Sequence, residues 1–154
     1  MSVTMILNGR EATLDCAPTD MLLEVLRDTQ GLRSVRETCR IGVCGACTIL
    51  LDGEPVTGCL TMAAQAAGRE VTTVEGLDGS HPVQRAFVEE HAFQCGWCTP
   101  AFVLTAKRLL EEDPDPSDAQ IAEALGGNLC RCGSYVKIAR AVRRAGTALK
   151  AEGP

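Results

Sequence analysis

The chain has 154 residues, a formal net charge of −5 and only 3% aromatic residues. This length suits one ordinary domain or two small ones. An acidic chain with so few aromatic side chains lacks the basic face and stacking platforms of a nucleic-acid-binding protein. No apolar stretch approaches the roughly 18–20 residues that span a bilayer, and the first residues lack the pattern of a signal peptide. We therefore expect no transmembrane segment and a cytoplasmic protein with reduced thiols.

The first half of the chain is predicted to form a small α+β unit. Asn8-Gly9 is a strong signal for a two-residue hairpin, and Asp52-Gly53 marks a second one. Gly42 punctuates a loop between them. The predicted elements are strands at 3–7 and 10–15, a helix from 19 or 20 to 27, a loop at 36–47, strands at 48–51 and 54–57, a helix at 60–67 and a strand at 70–74.

The second half is predicted to be helical. Pro82 suits a first helical turn, Thr99-Pro100 opens a second helix, and Ser117 with Gln120 forms a capping box for a third. A fourth helix begins at Tyr135 and carries one apolar stripe. Four helices in about 70 residues predict a compact bundle. The fold class is therefore α+β, with an N-terminal unit at 1–76, a linker at 77–81 and a helical domain at 82–154.

Eight of the nine cysteines fall into two groups of four. The first quartet has the spacing C-x4-C-x2-C and then a fourth cysteine, which is the spacing of plant-type [2Fe–2S] ferredoxins. The second quartet joins a C-x2-C pair to a distant C-x-C pair. The first quartet is Cys39, Cys44, Cys47 and Cys59, and the second is Cys95, Cys98, Cys130 and Cys132. We expect each quartet to hold one cluster, and we interpret Cys16, outside both, as a packing residue.

The residues around the cysteines suit an anionic cluster. Gly42 and Gly45 allow backbone conformations in which successive N–H groups face a cluster. Cys98 and Cys132 lie near predicted helix starts, where the helix dipole favours thiolates. A structural zinc site more often uses paired C-x2-C knuckles; the second quartet by itself could hold zinc or form a redox dithiol. His81 is interpreted as a surface or capping residue.

Three strings of the sequence resemble the iron–sulfur subunit of the molybdenum hydroxylases, the family of xanthine dehydrogenase, aldehyde oxidoreductase and aerobic carbon monoxide dehydrogenase. The three strings occur in the same order as in the family. Together with the two-domain layout, the resemblance extends over nearly the whole chain. Thr38 stands where a glycine is common. The strings are Cys44-Gly45-Ala46-Cys47-Thr48, Gln94-Cys95-Gly96-Trp97-Cys98-Thr99-Pro100 and Gly127-Asn128-Leu129-Cys130-Arg131-Cys132.

The resemblance implies a plant-ferredoxin-like β-grasp domain followed by a four-helix bundle, each with one [2Fe–2S] cluster. It implies electron transfer from a molybdopterin centre in a large subunit, through the two clusters, to FAD in a medium subunit. Residues matching Gln94 and Cys132 contact the pterin in that family. The chain is then the iron–sulfur subunit of an oxidoreductase and has no complete active site. The alternatives are a free-standing ferredoxin-like carrier or redox sensor, and a zinc-stabilised interaction module.

A run of cations at 130–150 contains no acidic residue. It is interpreted either as a solvated helix face, whose late cations suit the negative helix end, or as a docking surface for an acidic partner or a cofactor phosphate. Arg143 and Arg144 are the candidates for docking.

Overall fold

The computed structural model describes residues 1–152 and has an α+β architecture. The strands lie in the first half of the chain and the longer helices in the second. The strands are β1 (Ser2–Leu7), β2 (Arg10–Asp15), β3 (Thr48–Leu51), β4 (Glu54–Thr57) and β5 (Glu70–Thr72). The helices are α1 (Leu22–Glu24), α2 (Pro82–Glu89), α3 (Thr99–Glu112), α4 (Asp118–Leu125) and α5 (Tyr135–Glu152), with a π-helical turn at Val25–Thr29 and 3-10 turns at Ala63–Ala66 and Val74–Leu77.

The five strands form one mixed sheet in the order β2-β1-β5-β3-β4. Asn8 and Gly9 both have positive φ, as the tight turn between β1 and β2 requires. Strand β5 runs parallel to β1 and antiparallel to β3. Alternate residues of β1 are buried, which places the core on one face of the hairpin.

Two predicted elements are shorter than expected. The predicted strand at 70–74 ends at Thr72, because the N–H of Thr73 donates to the side chain of Asn8 (2.8 Å) instead of a neighbouring strand. The chain then turns through the 3-10 helix Val74–Leu77, which begins before the predicted linker. The predicted helix at 60–67 is only the 3-10 turn Ala63–Ala66, whose small side chains pack directly on the core.

Two groups of buried side chains form the core. The first lies between the sheet and the α1 segment and includes Leu22, Leu26 and Ile49; Cys16 packs against it. The second lies among α2, α3, α4 and α5 and includes Phe102 and Ile138. Helix α3 also contacts β3 and β4, so the central helix of the second half packs against the sheet of the first.

The helix ends follow the predicted caps. Ser117 accepts from the N–H of Gln120 at the start of α4, and His81 Nδ1 accepts from the N–H of Val83 (3.2 Å) at the start of α2. Two cations near the middle of α5 form ion pairs within the chain, since Arg143 pairs with Asp118 and Arg144 with Glu89. No helix within residues 1–152 is long and apolar enough to cross a membrane.

Candidate iron–sulfur centres

The first quartet lies on the loop between α1 and β3, with its fourth member after β4. Cys47 and Cys59 are 3% and 6% exposed, whereas Cys39 and Cys44 are half-buried. The loop has a left-handed backbone at Arg40, Gly42 and Gly45. Such alternation turns backbone N–H groups toward an anion. The N–H groups of Ile41 and Cys44 lower the pKa of Cys39 to about 6.

The second quartet joins two loops of the helical half. Cys95 and Cys98 lie just before α3, and Cys130 and Cys132 lie between α4 and α5. Backbone N–H groups reach two of the sulfurs: that of Trp97 donates to Cys95 Sγ (3.5 Å), and that of Ser134 donates to Cys130 Sγ (3.4 Å). A cavity of about 460 Å³ is lined by three of these cysteines together with Cys44.

The thiols differ in how readily they ionise. Burial raises the pKa of Cys47 and that of Cys98 to about 12. Loss of hydration therefore opposes ionisation of the free Cys98 thiol, although this thiol lies at a helix start. The N–H of Trp97 lowers the pKa of Cys95. Since cluster ligands must be thiolates, assembly at both centres is expected to release protons.

The thiols of each quartet form two close pairs. The neighbouring Cys44 thiol lowers the pKa of Cys39, and the neighbouring Cys59 thiol raises that of Cys47. In the second quartet, the neighbouring Cys132 thiol lowers the pKa of Cys95, and the neighbouring Cys130 thiol raises that of Cys98. Within residues 1–152, no three His, Cys, Asp or Glu side chains converge closely enough for a single metal ion. Four thiols per quartet are the number that one [2Fe–2S] cluster requires.

The loops that carry the two quartets are in contact, and we call this contact the seam; it is formed by residues 127–129 and Trp97 on one side and by Thr38, Cys44, Gly45 and Thr48 on the other. The N–H of Leu129, next to Cys130, donates to the carbonyl of Cys44 (2.9 Å). The buried Asn128 side chain donates to the carbonyl of Gly45 (2.9 Å) and to Thr48 Oγ1 (3.1 Å). A Cβ atom at Gly45 would lie 2.2 Å from the Gly127 carbonyl, so only glycine allows this approach.

A second contact crosses the seam at Trp97. Its indole N–H donates to Thr38 Oγ1 (2.8 Å), and Thr38 immediately precedes Cys39. The guanidinium carbon of Arg36 lies 4.7 Å from the centroid of the indole ring. Residues of the N-terminal half therefore hold the loop that carries Cys95 and Cys98.

Comparison with known proteins decides the family. Residues 4–94 match a family described as a 2Fe-2S iron-sulfur cluster binding domain, and residues 73–143 match a [2Fe-2S] binding domain. The nicotinate dehydrogenase small FeS subunit of Eubacterium barkeri is 46% identical over 148 residues, which cover 94% of each chain. The chain belongs to the iron–sulfur subunits of the molybdenum hydroxylase family.

Solved structures agree with membership of the molybdenum hydroxylase family. A chain of quinoline 2-oxidoreductase from Pseudomonas putida 86 matches with a TM-score of 0.93 and 39% identity, over 99% of this chain and 97% of that one. Aldehyde oxidoreductase from Desulfovibrio desulfuricans matches with a TM-score of 0.94 over 98% of this chain but only 17% of its own. The same fold thus occurs as a separate chain and as a segment of a longer one.

Gln94 and Cys132, the predicted pterin contacts, line one open groove of about 350 Å³. Lys137 and Arg140 line the same groove, and neither forms an ion pair with another described residue. Among the described residues, Lys137 and Arg140 are therefore unpaired cations that line the same groove as Cys132. The predicted docking residues Arg143 and Arg144 are instead engaged with acidic side chains of the chain itself.

Sequence reasoning missed the residues that join the two centres. From the sequence, Asn128 and Trp97 are named only as members of the strings shared with the family. The polar Asn128, two positions before the Cys130 and Cys132 pair, is the signal from which a structural hydrogen bond could have been predicted. The sequence predicts Tyr135 only as the first residue of a helix and as part of its apolar stripe. Its phenol oxygen accepts from the N–H of Cys130 (2.9 Å), which helps to fix the position of that cysteine.

Proposed function

We propose that this iron–sulfur subunit relays single electrons from a molybdopterin centre in a large partner subunit to FAD in a medium partner subunit. The observation that carries the proposal is the hydrogen bond between Leu129 and Cys44, which joins the two quartets at the seam. Each bound [2Fe–2S] cluster supplies one-electron redox chemistry. The chain supplies the thiol ligands, sets their spacing and brings the loops of the two quartets into contact.

The proposed ligands are the eight cysteines of the two quartets, and each quartet would hold one [2Fe–2S] cluster. The closeness of the thiols within a quartet supports this grouping, since Cys44 shifts the pKa of Cys39 and Cys59 shifts that of Cys47. In the second quartet, Cys132 shifts the pKa of Cys95 and Cys130 shifts that of Cys98. The buried Thr99 hydroxyl, beside Cys98, has no partner among the described residues, so a donor remains available at this centre.

We further propose that the two halves are a ferredoxin-like β-grasp domain at 1–76 and a four-helix bundle at 82–154, joined at 77–81. The two separate groups of buried side chains support this division. The last two residues of the second domain lie outside the part of the chain that the structure describes.

The exposure of the ligands supports a direction for the relay. At the second centre, Cys95 is exposed and Cys132 opens into the groove that also contains Gln94. We assign this side to the pterin. At the first centre, the half-buried Cys39 and Cys44 flank Ile41 and Val43, which are 69% and 62% exposed. Apolar side chains so exposed beside a ligand pair suit a lasting contact with the flavin subunit.

Purification from the native host through a tag on this chain tests the assembly. We expect a molybdenum-containing chain and an FAD-containing chain to be recovered with it. A lone chain that carries both clusters would instead identify a free-standing electron carrier. Metal analysis should give about four irons and four acid-labile sulfides per chain, whereas zinc without labile sulfide would identify an interaction module.

The ligand assignment is tested by Cys98→Ser. We expect this variant to lose the EPR signal of the second centre and about half of the iron, because one of four thiolates is missing, and to keep the signal of the first centre. Cys16→Ser is the matched control, since Cys16 is half-buried but outside both quartets. Equal iron loss in both variants, or loss of both signals in Cys98→Ser, would contradict the assignment.

A further inference from the structure

Arg36 is an unpaired cation at the seam between the two quartets. Its backbone N–H donates to the carbonyl of Ala46 (3.3 Å), next to Cys47. Its guanidinium lies over the ring of Trp97, between Cys95 and Cys98 in sequence. The side chain therefore extends from the loop of the first quartet to the loop of the second.

No acidic side chain within residues 1–152 neutralises Arg36. The neighbouring Arg40 pairs with Glu24 and Glu37, whereas Arg36 forms no ion pair, and its Nε is buried without a hydrogen-bond partner. A cation over an indole face is attracted to the ring. The indole ring thus holds the guanidinium in place without neutralising it. The positive charge therefore still contributes to the electrostatic potential around it.

We infer that Arg36 raises the reduction potential of the second cluster. Reduction adds one electron, and so one negative charge, to the cluster, and a fixed positive charge nearby stabilises the reduced form. The second cluster is the one affected most, because the guanidinium contacts the residue between two of its ligands. This inference rests on the proposed ligand set of the second centre, and it does not depend on which partner subunits are present.

Trp97 and Thr38 fix the position of this charge. The hydrogen bond from the indole N–H to Thr38 Oγ1 (2.8 Å) orients the ring on which Arg36 lies. Without that bond, the ring and the guanidinium are expected to move toward solvent, where the charge is screened. Trp97 is already 44% exposed, so the effect of Arg36 is expected to be moderate.

A redox titration of the purified complex, with dithionite as reductant and EPR detection of each cluster, tests the inference. In Arg36→Met, we expect the ratio of reduced to oxidised second cluster at a fixed potential to fall about three- to tenfold. For a one-electron couple, this corresponds to about 30–60 mV. Arg36→Lys keeps the charge and should lie within about twofold of the original protein. Thr38→Val keeps the charge but frees the ring, and should give a smaller decrease than Arg36→Met.

Lys150→Met is the control, because it also removes one positive charge. Lys150 lies fifteen residues after Tyr135 on α5, about 22 Å along the helix. An unchanged second-cluster potential in Arg36→Met would overturn the inference, and so would a larger change at the first cluster or an equal change in Lys150→Met. If Arg36→Met does not assemble the second cluster, the test rests on Arg36→Lys and Thr38→Val. In that case, a second-cluster reduction potential in Thr38→Val equal to that of the original protein would overturn the inference. Failure of the electron-relay proposal would appear separately, as missing partner chains.

Discussion

Replacing Asn128 by alanine is expected to weaken the seam between the two centres. The Asn128 side chain is buried and makes three hydrogen bonds: its amide nitrogen donates to Gly45 and Thr48, and its oxygen accepts from Thr105 Oγ1 (3.0 Å), whose single proton is shared with the Ala101 carbonyl. Each such bond contributes about 0.5–1.5 kcal/mol to stability. Their loss would therefore cost about 1.5–4.5 kcal/mol.

The lower part of that range applies, because each partner keeps another bond. The Gly45 carbonyl still accepts from the N–H of Thr48 (3.0 Å) and from its hydroxyl (2.6 Å). Thr105 still donates to the carbonyl of Ala101 (3.0 Å). No buried group is left without a partner, so we expect a loss of about 2 kcal/mol.

The assay is urea unfolding, followed by the visible absorption of the clusters and by circular dichroism. With a urea dependence of about 2 kcal/mol per M, a loss of about 2 kcal/mol lowers the midpoint by about 1 M. Thr105→Val removes only one of the three bonds and should lower it less. Asn128→Asp keeps the shape but buries a carboxylate against the Gly45 carbonyl, and should lower it more. A midpoint within 0.2 M of the original in Asn128→Ala would refute the reasoning, as would a larger loss in Thr105→Val.

Two further predictions concern the backbone conformation at Gly45 and the protonation of His81. Gly45→Ala should destabilise the first centre far more than Gly53→Ala, since both glycines have positive φ but only a Cβ at Gly45 meets a neighbour, the Gly127 carbonyl; equal iron retention in the two variants would contradict this. Burial and the nearby charge of Lys107 lower the pKa of His81 below its ordinary value of 6.5. The folded state therefore favours the neutral form, and the stability it contributes is complete above about pH 6.5 and is lost as the pH falls through the folded pKa. Serine at position 81 can still cap α2, but its side chain does not change protonation between pH 7.5 and 5. In His81→Ser, the urea midpoint should therefore fall less over this pH range than in the original protein.

The local elements were predictable because their signals lie within a few residues. Asn8-Gly9 determined the first hairpin, and Ser117 with Gln120 determined the start of α4. The strand predicted to end at residue 74 ended at Thr72, because Asn8, 65 positions away in the sequence, takes the backbone N–H of Thr73. Such a contact depends on how distant segments pack, and no local pattern records it.

The chemistry of the centres was determined by residue type and spacing. Thiols at C-x4-C-x2-C spacing select iron and sulfide over most other cofactors, and this holds before any tertiary contact is known. The sequence also located Gln94 and Cys132, which line one groove. It assigned a possible docking role to Arg143 and Arg144, yet their charges are used by Asp118 and Glu89 on other helices.

Only the tertiary structure decided how the two centres are joined. Asn128 contacts Gly45 across 83 positions of sequence, and Trp97 contacts Thr38 across 59. These contacts exist because α3 packs against β3 and β4, which brings one end of the helical half onto the loop of the first quartet. Ligand spacing is a property of a short segment, and the sequence carries it directly. The approach of two loops is a property of the packed core, and it is therefore determined only when the whole chain folds.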